Sequence, residues 1–374
     1  MSADVVFLAT GDVAAHRPDL GSMFAHVAPL LRQGDLTFGQ LETCVSDRGE
    51  RSVHAKLAMR CDPGLGAAVR DAGYNVMSFA GNHCLDWGRA AFHDTLDHMG
   101  TAGVALAGAG PSLTEARAPV ILDVKGVKVA VLAVSSILPE GYWAEHDRPG
   151  CAPMRAYTHY EQIEHDQPGT SARIITTPHP GDLARLCEDI RAAKTKADVV
   201  ALSIHWGIHL IPETLADYQR AVAKAAVAAG CDVILGHHPH ILKAIEFIDG
   251  KPVVYSMGNF AIEQPQAWDA GITRSASFKQ LMALNPHFDL ATAYVLPPDT
   301  RLTFILKLVI RERTIAEVRF IPCRIGNDSA PHPLTSSDPA FVEVADYMRR
   351  ITASQDIETA YEADGDEVVV RPAG

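Results

Sequence analysis

Carboxylate, amide and imidazole side chains follow the ends of several short apolar runs, and this arrangement constrains the fold more than any other feature. The runs and the polar residues after them are Val5–Thr10 with Asp12, Leu36–Leu41 with Glu42, Asn75–Ala80 with Asn82 and His83, Asp198–Ile204 with His205, and Val233–Leu235 with His238 and His240. Short apolar runs bounded by turn residues are typical of buried strands. The carboxyl ends of strands in an open α/β sheet border the crevice where ligands bind. Packing alone does not explain why five strands carry such side chains to that edge.

Helical patterns alternate with these strands and predict an α/β fold. The predicted helices are Met23–Gln33, Leu65–Ala72, Ala90–Met99, Leu183–Lys194, Leu215–Ala229 and a C-terminal helix near Asp338–Thr352. The other predicted strands are Pro119–Asp123 and Val127–Val134, which flank the turn Lys125-Gly126, and Val253–Ser256, Thr303–Ile310 and Glu317–Ile321. Trp268–Pro298 has an ambiguous pattern.

The chain reads as one catalytic domain over residues 1–355 with an insertion. Residues 138–181 are rich in Pro, Gly, His and aromatic residues and have weak periodicity. Because a long structureless loop inside a compact domain is often functional, we expect a lid or active-site insertion there. Residues 356–374 carry several acidic side chains and are expected to form an exposed acidic tail.

The mixture of side chains suits divalent metal ions. Carboxylates offset the charge of the ions, and imidazoles bind borderline metals such as Zn, Fe and Mn. A carboxylate between two ions bridges them, and such a site clamps a reacting group and supplies hydroxide at neutral pH. The sequence therefore predicts one or two divalent ions, of Mn, Zn, Fe or Mg, and the histidines argue against Mg alone.

The motifs at these positions resemble those of the calcineurin-like metallophosphoesterase superfamily, and specifically its CapA-like branch. The motifs are Gly11-Asp12, Gln40-Leu41-Glu42, the stretch from Gly81-Asn82-His83 to Gly88, His205-Trp206-Gly207, Gly236–His240 and Tyr255–Phe260. Each motif is weak alone, but all occur in the order of the family between residues 11 and 260. The resemblance implies a four-layer αββα sandwich of two mixed sheets flanked by helices.

The resemblance also implies a role for each matching residue. Asp12 and His240 would bind a first metal ion, and Glu42 would bridge the two ions. Asn82, His205 and His238 would bind the second ion. His83 would assist the leaving group instead of binding metal, and Asp86 would orient it.

One position departs from the pattern of the superfamily. Most metallophosphoesterases have a histidine two residues after the aspartate of the first motif, whereas this chain has Ala14. The first metal site is therefore poorer in ligands, His16 is a possible substitute, and the number of ions is left open.

Three further residues near the motifs are candidates for substrate contact. His209 follows His205 by four residues, His237 lies beside His238, and Asn259 follows the predicted strand Val253–Ser256. A packing or turn role is the alternative for each of them.

Composition limits the binding partners and the cellular compartment that we expect for this chain. The formal net charge of −12 argues against a nucleic-acid partner, and no apolar stretch is long enough to span a membrane. The seven scattered cysteines form no CxxC pair, which favours reduced thiols and a cytoplasmic protein. Nothing in the sequence points to a particular oligomeric state.

These observations support two functional hypotheses. The first is a hydrolase that uses metal-activated water on an amide, ester or phosphoester bond of a small, anionic substrate. The alternative is a non-catalytic accessory protein of the CapA type in poly-γ-glutamate or capsule synthesis. The presence of His83 beside Asn82 favours the enzyme, and the absence of a histidine at position 14 favours the accessory protein.

Overall fold

The computed structural model describes residues 4–55, 57–164, 166–167, 169–263, 274–284, 294 and 296–373. The strands in chain order are β1 (Val5–Ala14), β2 (Leu36–Leu41), β3 (Cys44–Val45), β4 (Arg60–Cys61), β5 (Val76–Ser78), β6 (Ala105–Ala107), β7 (Ala109–Gly110), β8 (Val120–Val124), β9 (Val127–Ser135), β10 (Gly150–Cys151), β11 (Ala156–Gln162), β12 (Ala172–Pro178), β13 (Val199–His205), β14 (Val233–His237), β15 (Ile245–Ile248), β16 (Lys251–Val254), β17 (Asn259–Ile262), β18 (Leu302–Arg311), β19 (Thr314–Ile325), β20 (Pro331–Pro333), β21 (Thr359–Asp364) and β22 (Glu367–Pro372).

The α-helices in chain order are α1 (Ala28–Leu31), α2 (Leu65–Ala72), α3 (Gly88–Thr101), α4 (Leu113–Arg117), α5 (Pro180–Lys194), α6 (Asp217–Ala229), α7 (Ala276–Leu284) and α8 (Pro339–Ala353). Short 3-10 helices span Leu20–Phe24 and Pro298–Arg301.

The larger sheet has ten strands in the described part of the chain. Its order is β21-β22-β19-β18-β1-β2-β5-β6, with β17 paired to β1 and β20 paired to β19. Strands β1, β2, β5, β6 and β17 run parallel, whereas β18 to β22 pair antiparallel. The sheet is therefore mixed, and the carboxyl ends of its parallel strands share one edge.

The second sheet has six strands in the order β15-β16-β14-β13-β9-β8, and its central strands run parallel. Both faces of this sheet are apolar. Along β9, Val129 and Val131 belong to the core cluster that also contains Phe7 of β1, whereas Leu132 packs with Ile190 of α5. Because side chains alternate across a strand, each central strand contributes to two layers of core.

The two sheets lie face to face, with helices on the outer sides. Helices α5 and α6 cover the second sheet through the cluster that contains Leu186 and Val222. Helices α2, α3 and α8 pack on the larger sheet with Val69, Phe92 and Met348. This arrangement is the four-layer αββα sandwich that the resemblance implied.

Two segments have a different structure from the one predicted for them. The predicted helix Met23–Gln33 is instead a 3-10 turn followed by the short helix α1, because Pro29 lacks an N–H donor and its ring clashes with the carbonyl one turn earlier. Residues 359–372, expected in an acidic tail, form the hairpin β21–β22, which joins β19 and buries Val368 and Val370. Alternating valines on one face of β22 outweigh the acidic residues in deciding its structure.

The insertion contains regular structure. Strands β11 and β12 pair along their whole length as an exposed hairpin, and β10 pairs with β7.

Within the described residues, no helix combines the length and apolar character that a membrane-spanning helix needs. All seven cysteines are buried and unpaired.

Candidate metal centre

The carboxyl ends of parallel strands in both sheets converge on one crevice. Asp12 lies near the end of β1, Glu42 directly follows β2, and Asn82 follows β5 from the larger sheet. His205 ends β13 of the second sheet. The loop after β14 adds His238 and His240.

A distortion of β1 aims the Asp12 side chain. The pairing register of β1 shifts on both sides of this residue, against β2 and against β17. The Asp12 N–H donates to the carbonyl of Gly258 over 3.0 Å, and a Cβ at Gly11 would lie 2.1 Å from that same carbonyl oxygen. Only glycine therefore permits this approach of the two backbones, and an irregularity of this kind re-aims a side chain beside a site.

Two buried carboxylates at this edge lack hydrogen-bond donors, and of the two Glu42 lines the cavity. Asp12 and Glu42 are 0% and 2% exposed, and all four of their carboxylate oxygens lack a hydrogen-bond partner. Burial, followed by the nearby Asp12 carboxylate, raises the pKa of Glu42 well above its ordinary value. Buried carboxylates without donors are costly unless a cation compensates them. These orphaned oxygens fit a divalent metal ion.

Imidazole and amide groups surround the two carboxylates. The Nε2 atom of His205 lies 3.6 Å from Glu42 Oε1 and 2.7 Å from Asn82 Oδ1. The Nε2 atom of His240 lies 3.5 Å from the same Glu42 oxygen. Ligand atoms of Glu42, His238 and His240 lie within 4.8 Å of one another. The donor set mixes oxygen and imidazole nitrogen, as borderline divalent metals prefer.

Burial keeps these imidazoles neutral. The pKa of His205 is lowered well below its ordinary value by burial and then by His237 and His240. Burial, followed by His205 and His209, lowers the pKa of His238 in the same way. A neutral imidazole has a free lone pair and is the form that binds a metal.

The loop after β14 holds its histidines in an unusual backbone conformation. His238 has a φ of 94° and His240 a φ of 58°, on either side of Pro239. Non-glycine residues seldom adopt positive φ, and such residues concentrate at ligand-binding sites. Close backbone contact supports the loop, since a Cβ at Gly236 would lie 2.2 Å from the carbonyl oxygen of Tyr255.

Asn259 orients one of these imidazoles. The Nδ1–H group of His240 donates to Asn259 Oδ1 over 2.7 Å, which leaves Nε2 facing Glu42. The Asn259 amide in turn donates to the Tyr294 hydroxyl over 3.1 Å. Asn259 was expected to be a substrate contact or a turn residue, but it is buried in β17 and positions His240.

The two other substrate candidates have different surroundings. His209 lines the cavity at the site, and its ring stacks on His238 at a centroid distance of 5.5 Å. His237 is fully buried, and its Nδ1 atom lies 3.2 Å from Asp12 Oδ1. His237 is absent from the described cavity wall, and its ring lies against the Asp12 carboxylate instead of facing a substrate.

His83 and Asp86 lie beside the metal ligands. The Nδ1–H of His83 donates to Asp86 Oδ2 over 2.6 Å, and the Met59 N–H donates to the same oxygen over 2.7 Å. The Tyr142 hydroxyl donates to the other carboxylate oxygen over 3.3 Å. Both His83 and Asp86 line the cavity, where His83 can accept or deliver a proton through Nε2.

The cavity in front of these residues has a volume of about 440 Å³. Apolar side chains form much of its wall: Ala55, Leu57, Met59, Ile137, Leu138, Pro139, Ile262 and Leu296. The described lining residues include no lysine or arginine, and the polar residues beyond the metal ligands are histidines with Asp86. Leu138 and Pro139 belong to the start of the insertion, whereas the described residues of its exposed hairpin do not line the cavity.

Ala14 occupies the position at which classical metallophosphoesterases have a histidine, and its surroundings are apolar. Ala14 is buried in a cluster with Met59, Leu210 and Ile262. His16 is exposed, its Nδ1 atom lies 3.3 Å from the Arg60 carbonyl, and it does not line the cavity. The structure therefore does not bring His16 to the site in place of the missing histidine.

Three residues with a role at the site were not predicted for it. Tyr294 supports Asn259, and the Met59 N–H fixes Asp86. The Lys243 ammonium group is buried and donates to the carbonyls of Pro212 and Thr214, in the loop that carries His209. These contacts join segments far apart in the chain, so no local pattern could have found them.

Comparison with known proteins gives a consistent result. A family model described as bacterial capsule synthesis protein PGA_cap matches residues 4–264. The PGA biosynthesis protein CapA of Bacillus subtilis (strain 168) is 28% identical over 245 residues, which cover 65% of this chain and 57% of that protein. The capsule biosynthesis protein CapA of Bacillus anthracis is also 28% identical, over 65% of this chain and 54% of its own.

A probable polyglutamine synthesis accessory protein of Mycobacterium tuberculosis (strain ATCC 25618 / H37Rv) is 28% identical over 229 residues, which cover 60% of this chain and 55% of that protein. The chain thus spans little more than half the length of these curated relatives. The part that the family model matches, residues 4–264, includes every candidate metal ligand.

Proposed function

Since the chain belongs to the bacterial capsule synthesis protein PGA_cap family, we propose that it is a metal-dependent hydrolase. Its substrate would be a small, anionic molecule with an amide, ester or phosphoester bond. The observation that carries this proposal is the pair of buried carboxylates, Asp12 and Glu42, whose oxygens lack hydrogen-bond donors and lie 3.5–3.6 Å from the His205 and His240 imidazoles.

The residues assigned to hold one or two divalent ions are Asp12, Glu42, Asn82, His205, His238 and His240. When bound, a divalent ion supplies positive charge that polarises a carbonyl or phosphoryl group and makes water more acidic. Manganese, zinc and iron suit this mixture of carboxylate, amide and imidazole better than magnesium alone.

His83 would deliver a proton to the leaving group. Its Nδ1–H is committed to Asp86, so that Nε2 is the nitrogen available on the side of the cavity. Asp86 would keep the ring in this orientation and stabilise the imidazolium form while His83 carries the proton. A protein that only binds a ligand has no need for this pair.

The cavity supports a small substrate in preference to a polymer held along its length. Its volume of about 440 Å³ is within the range of small-molecule sites. The apolar wall would exclude water from the bond that reacts. An anionic group would be met by the metal charge and by His54 and His209, which line the cavity.

A second candidate is a non-catalytic accessory role in capsule or poly-γ-glutamate synthesis. The Mycobacterium tuberculosis relative is described as a probable polyglutamine synthesis accessory protein, which favours this role. The apolar surroundings of Ala14 also favour it, because they leave the first ion with fewer protein ligands.

One experiment separates the two candidates. The purified chain would be stripped with a chelator, reloaded with Mn²⁺, Zn²⁺ or Fe²⁺, and assayed on aryl phosphates, aryl esters and γ-glutamyl anilides. Turnover that requires metal and falls in His83→Ala, but not in the exposed control His93→Ala, would support the enzyme. Stoichiometric metal without turnover on any substrate class would favour the accessory role.

A further inference from the structure

A second group of metal-binding side chains lies on the surface of the protein. It consists of His26, Asp328 and His332, and it shares no residue with the buried centre. None of the three side chains lines the cavity at that centre. The proposed hydrolase therefore makes no use of them.

The three residues come from distant parts of the chain. His26 lies between the 3-10 helix Leu20–Phe24 and α1. Asp328 lies in the turn between β19 and β20, and His332 lies in β20 opposite Arg324. Tertiary folding alone brings His26 to this turn, which is why the spacing of these residues in the sequence does not indicate a site.

The donor atoms are close enough together to share one ion. The Nε2 atom of His332 lies 3.2 Å from each Asp328 carboxylate oxygen, and His26 Nε2 lies 3.9 Å from Asp328 Oδ2. All three ligand atoms lie within 4.8 Å of one another. Since Zn–N and Zn–O bonds are about 2.0–2.2 Å long, two ligands of one ion are separated by about 3–4 Å. The separations of the two imidazole nitrogens from the Asp328 carboxylate, 3.2 and 3.9 Å, match that spacing.

The turn holds the carboxylate in place before any ion binds. The Ala330 N–H donates to Asp328 Oδ1 over 3.2 Å, and the Gly326 N–H donates to the Ala330 carbonyl over 2.9 Å. The Arg17 guanidinium donates to the Asp328 carbonyl oxygen. Asp328 is thus supported by contacts that leave its second oxygen, Oδ2, facing the two imidazoles.

The two imidazoles stack on each other, so binding one shared ion requires a rotation of a ring. Their ring centroids are 4.0 Å apart and their planes are inclined by 29°. Both Nε2 atoms approach the same carboxylate. About half of the His26 and Asp328 side chains and 38% of His332 are exposed, so an ion from solvent can reach all three.

We propose that His26, Asp328 and His332 form a second divalent-metal site, which takes Zn²⁺ or another ion that prefers imidazole. Two imidazoles and one carboxylate are a common zinc ligand set, and the exposed position leaves a coordination place for water or an external ligand. Mg²⁺ and Ca²⁺ prefer oxygen ligands and bind poorly to such a set. A bound ion would join the segment that carries His26 to the β19–β20 turn.

Zinc binding to the full-length chain tests this proposal. The background would be Glu42→Gln, which removes a ligand of the buried centre, so that the surface site can be measured separately. Chelator-stripped protein would be titrated with Zn²⁺ by calorimetry and by equilibrium dialysis with metal analysis. Beyond any Zn²⁺ that the buried centre retains, we expect one further Zn²⁺ equivalent, which is lost in His332→Ala and weakened at least tenfold in His26→Ala and Asp328→Asn.

The control is His93→Ala in the same background, because His93 is exposed and lies outside the three-residue group. It should bind the same equivalent with unchanged affinity, and Mg²⁺ should not compete. Equal Zn²⁺ stoichiometry and affinity in His26→Ala, His332→Ala and the control would overturn the proposal. These residues would then be only a stacked pair of imidazoles beside a carboxylate. This measurement does not depend on turnover. The proposal of a surface metal site therefore stands even if the chain has no hydrolase activity.

Discussion

The Nδ1 atom of His83 lies 2.6 Å from Oδ2 of Asp86, three residues further along the chain. The same carboxylate accepts hydrogen bonds from the Met59 N–H and the Tyr142 hydroxyl. Asp86 is 1% exposed, so these donors hold it in a single orientation. The ring of His83 is therefore fixed before any substrate binds.

Replacing either member of this pair should separate metal binding from turnover. We expect His83→Ala to lower kcat by about 100-fold or more, because a proton donor is lost. Asp86→Asn should lower it by about 10–100-fold, because the ring loses its orienting partner. Metal analysis should give wild-type stoichiometry for both. Unchanged kcat in His83→Ala would contradict the assigned role.

Removing a buried carboxylate should stabilise the metal-free protein. Glu42 lacks hydrogen-bond donors and lies near Asp12. Burial is the larger cause that raises the pKa of Glu42, and the Asp12 carboxylate is the next. We expect Glu42→Gln to increase the free energy of unfolding of chelated protein by on the order of 1–3 kcal/mol and to lower metal affinity. Denaturant unfolding with and without metal measures both effects. The exposed control Glu188→Gln should change neither, and a destabilised metal-free Glu42→Gln would argue against a metal centre.

Asn259 should influence metal affinity without contacting the ion. Its Oδ1 accepts the Nδ1–H of His240 and leaves Nε2 directed at Glu42. Loss of such a supporting partner lowers metal affinity by about 10–100-fold, which is the effect expected for Asn259→Ala. Asn259→Asp keeps an acceptor oxygen and should lose less. Competition with a chromophoric chelator measures both variants, and equal losses would exclude a role through His240.

The metal-free protein should lose stability as the pH falls below 6.5. Burial, followed by the nearby His240 and His83 imidazoles, lowers the pKa of His209 from 6.5 to about 3. The unfolded chain therefore binds a proton between these values that the folded chain does not, so stability decreases as pH falls through this window. Between pH 7 and pH 5, this one residue contributes a loss of about 1–2 kcal/mol.

His209→Gln should reduce this loss by a similar amount, measured by denaturant unfolding of chelated protein at both pH values. His205 and His238 have pKa values lowered in the same direction, so a smaller pH dependence remains in the variant. Identical pH dependence in wild type and His209→Gln would show that His209 is not held neutral by burial.

Two glycine substitutions should have opposite effects on stability. In Gly11→Ala, the new Cβ would lie 2.1 Å from the Gly258 carbonyl oxygen, so β1 and β17 must separate. We expect a loss of about 3 kcal/mol or more. In α3, a Cβ at Gly100 meets nothing within 4 Å, and Gly100→Ala should be neutral or stabilising by up to about 1 kcal/mol. Thermal unfolding of both variants tests the close approach of Gly11 to the Gly258 carbonyl.

The sequence predicted the parts of the fold that depend on local patterns. Apolar runs identified β1, β2, β13 and β14 to within a few residues, and helical spacing identified α2, α3, α5 and α6. The prediction of a helix over Met23–Gln33 was wrong, because Pro29 interrupts the helical pattern and lies in the first turn of the short helix α1. The sequence also did not predict β21 and β22, where pairing with the distant strand β19 decides the structure.

The candidate ligands could be located from the sequence because each one follows the carboxyl end of a strand, and parallel strands bring such ends together. The structure alone decided how those side chains are supported, as in the contacts of Asn259 with His240 and of His237 with Asp12. It alone placed His26 beside Asp328. The physical reason is that the period of a strand or helix is set by neighbouring residues, whereas these contacts join residues separated by many positions and form only when the layers pack.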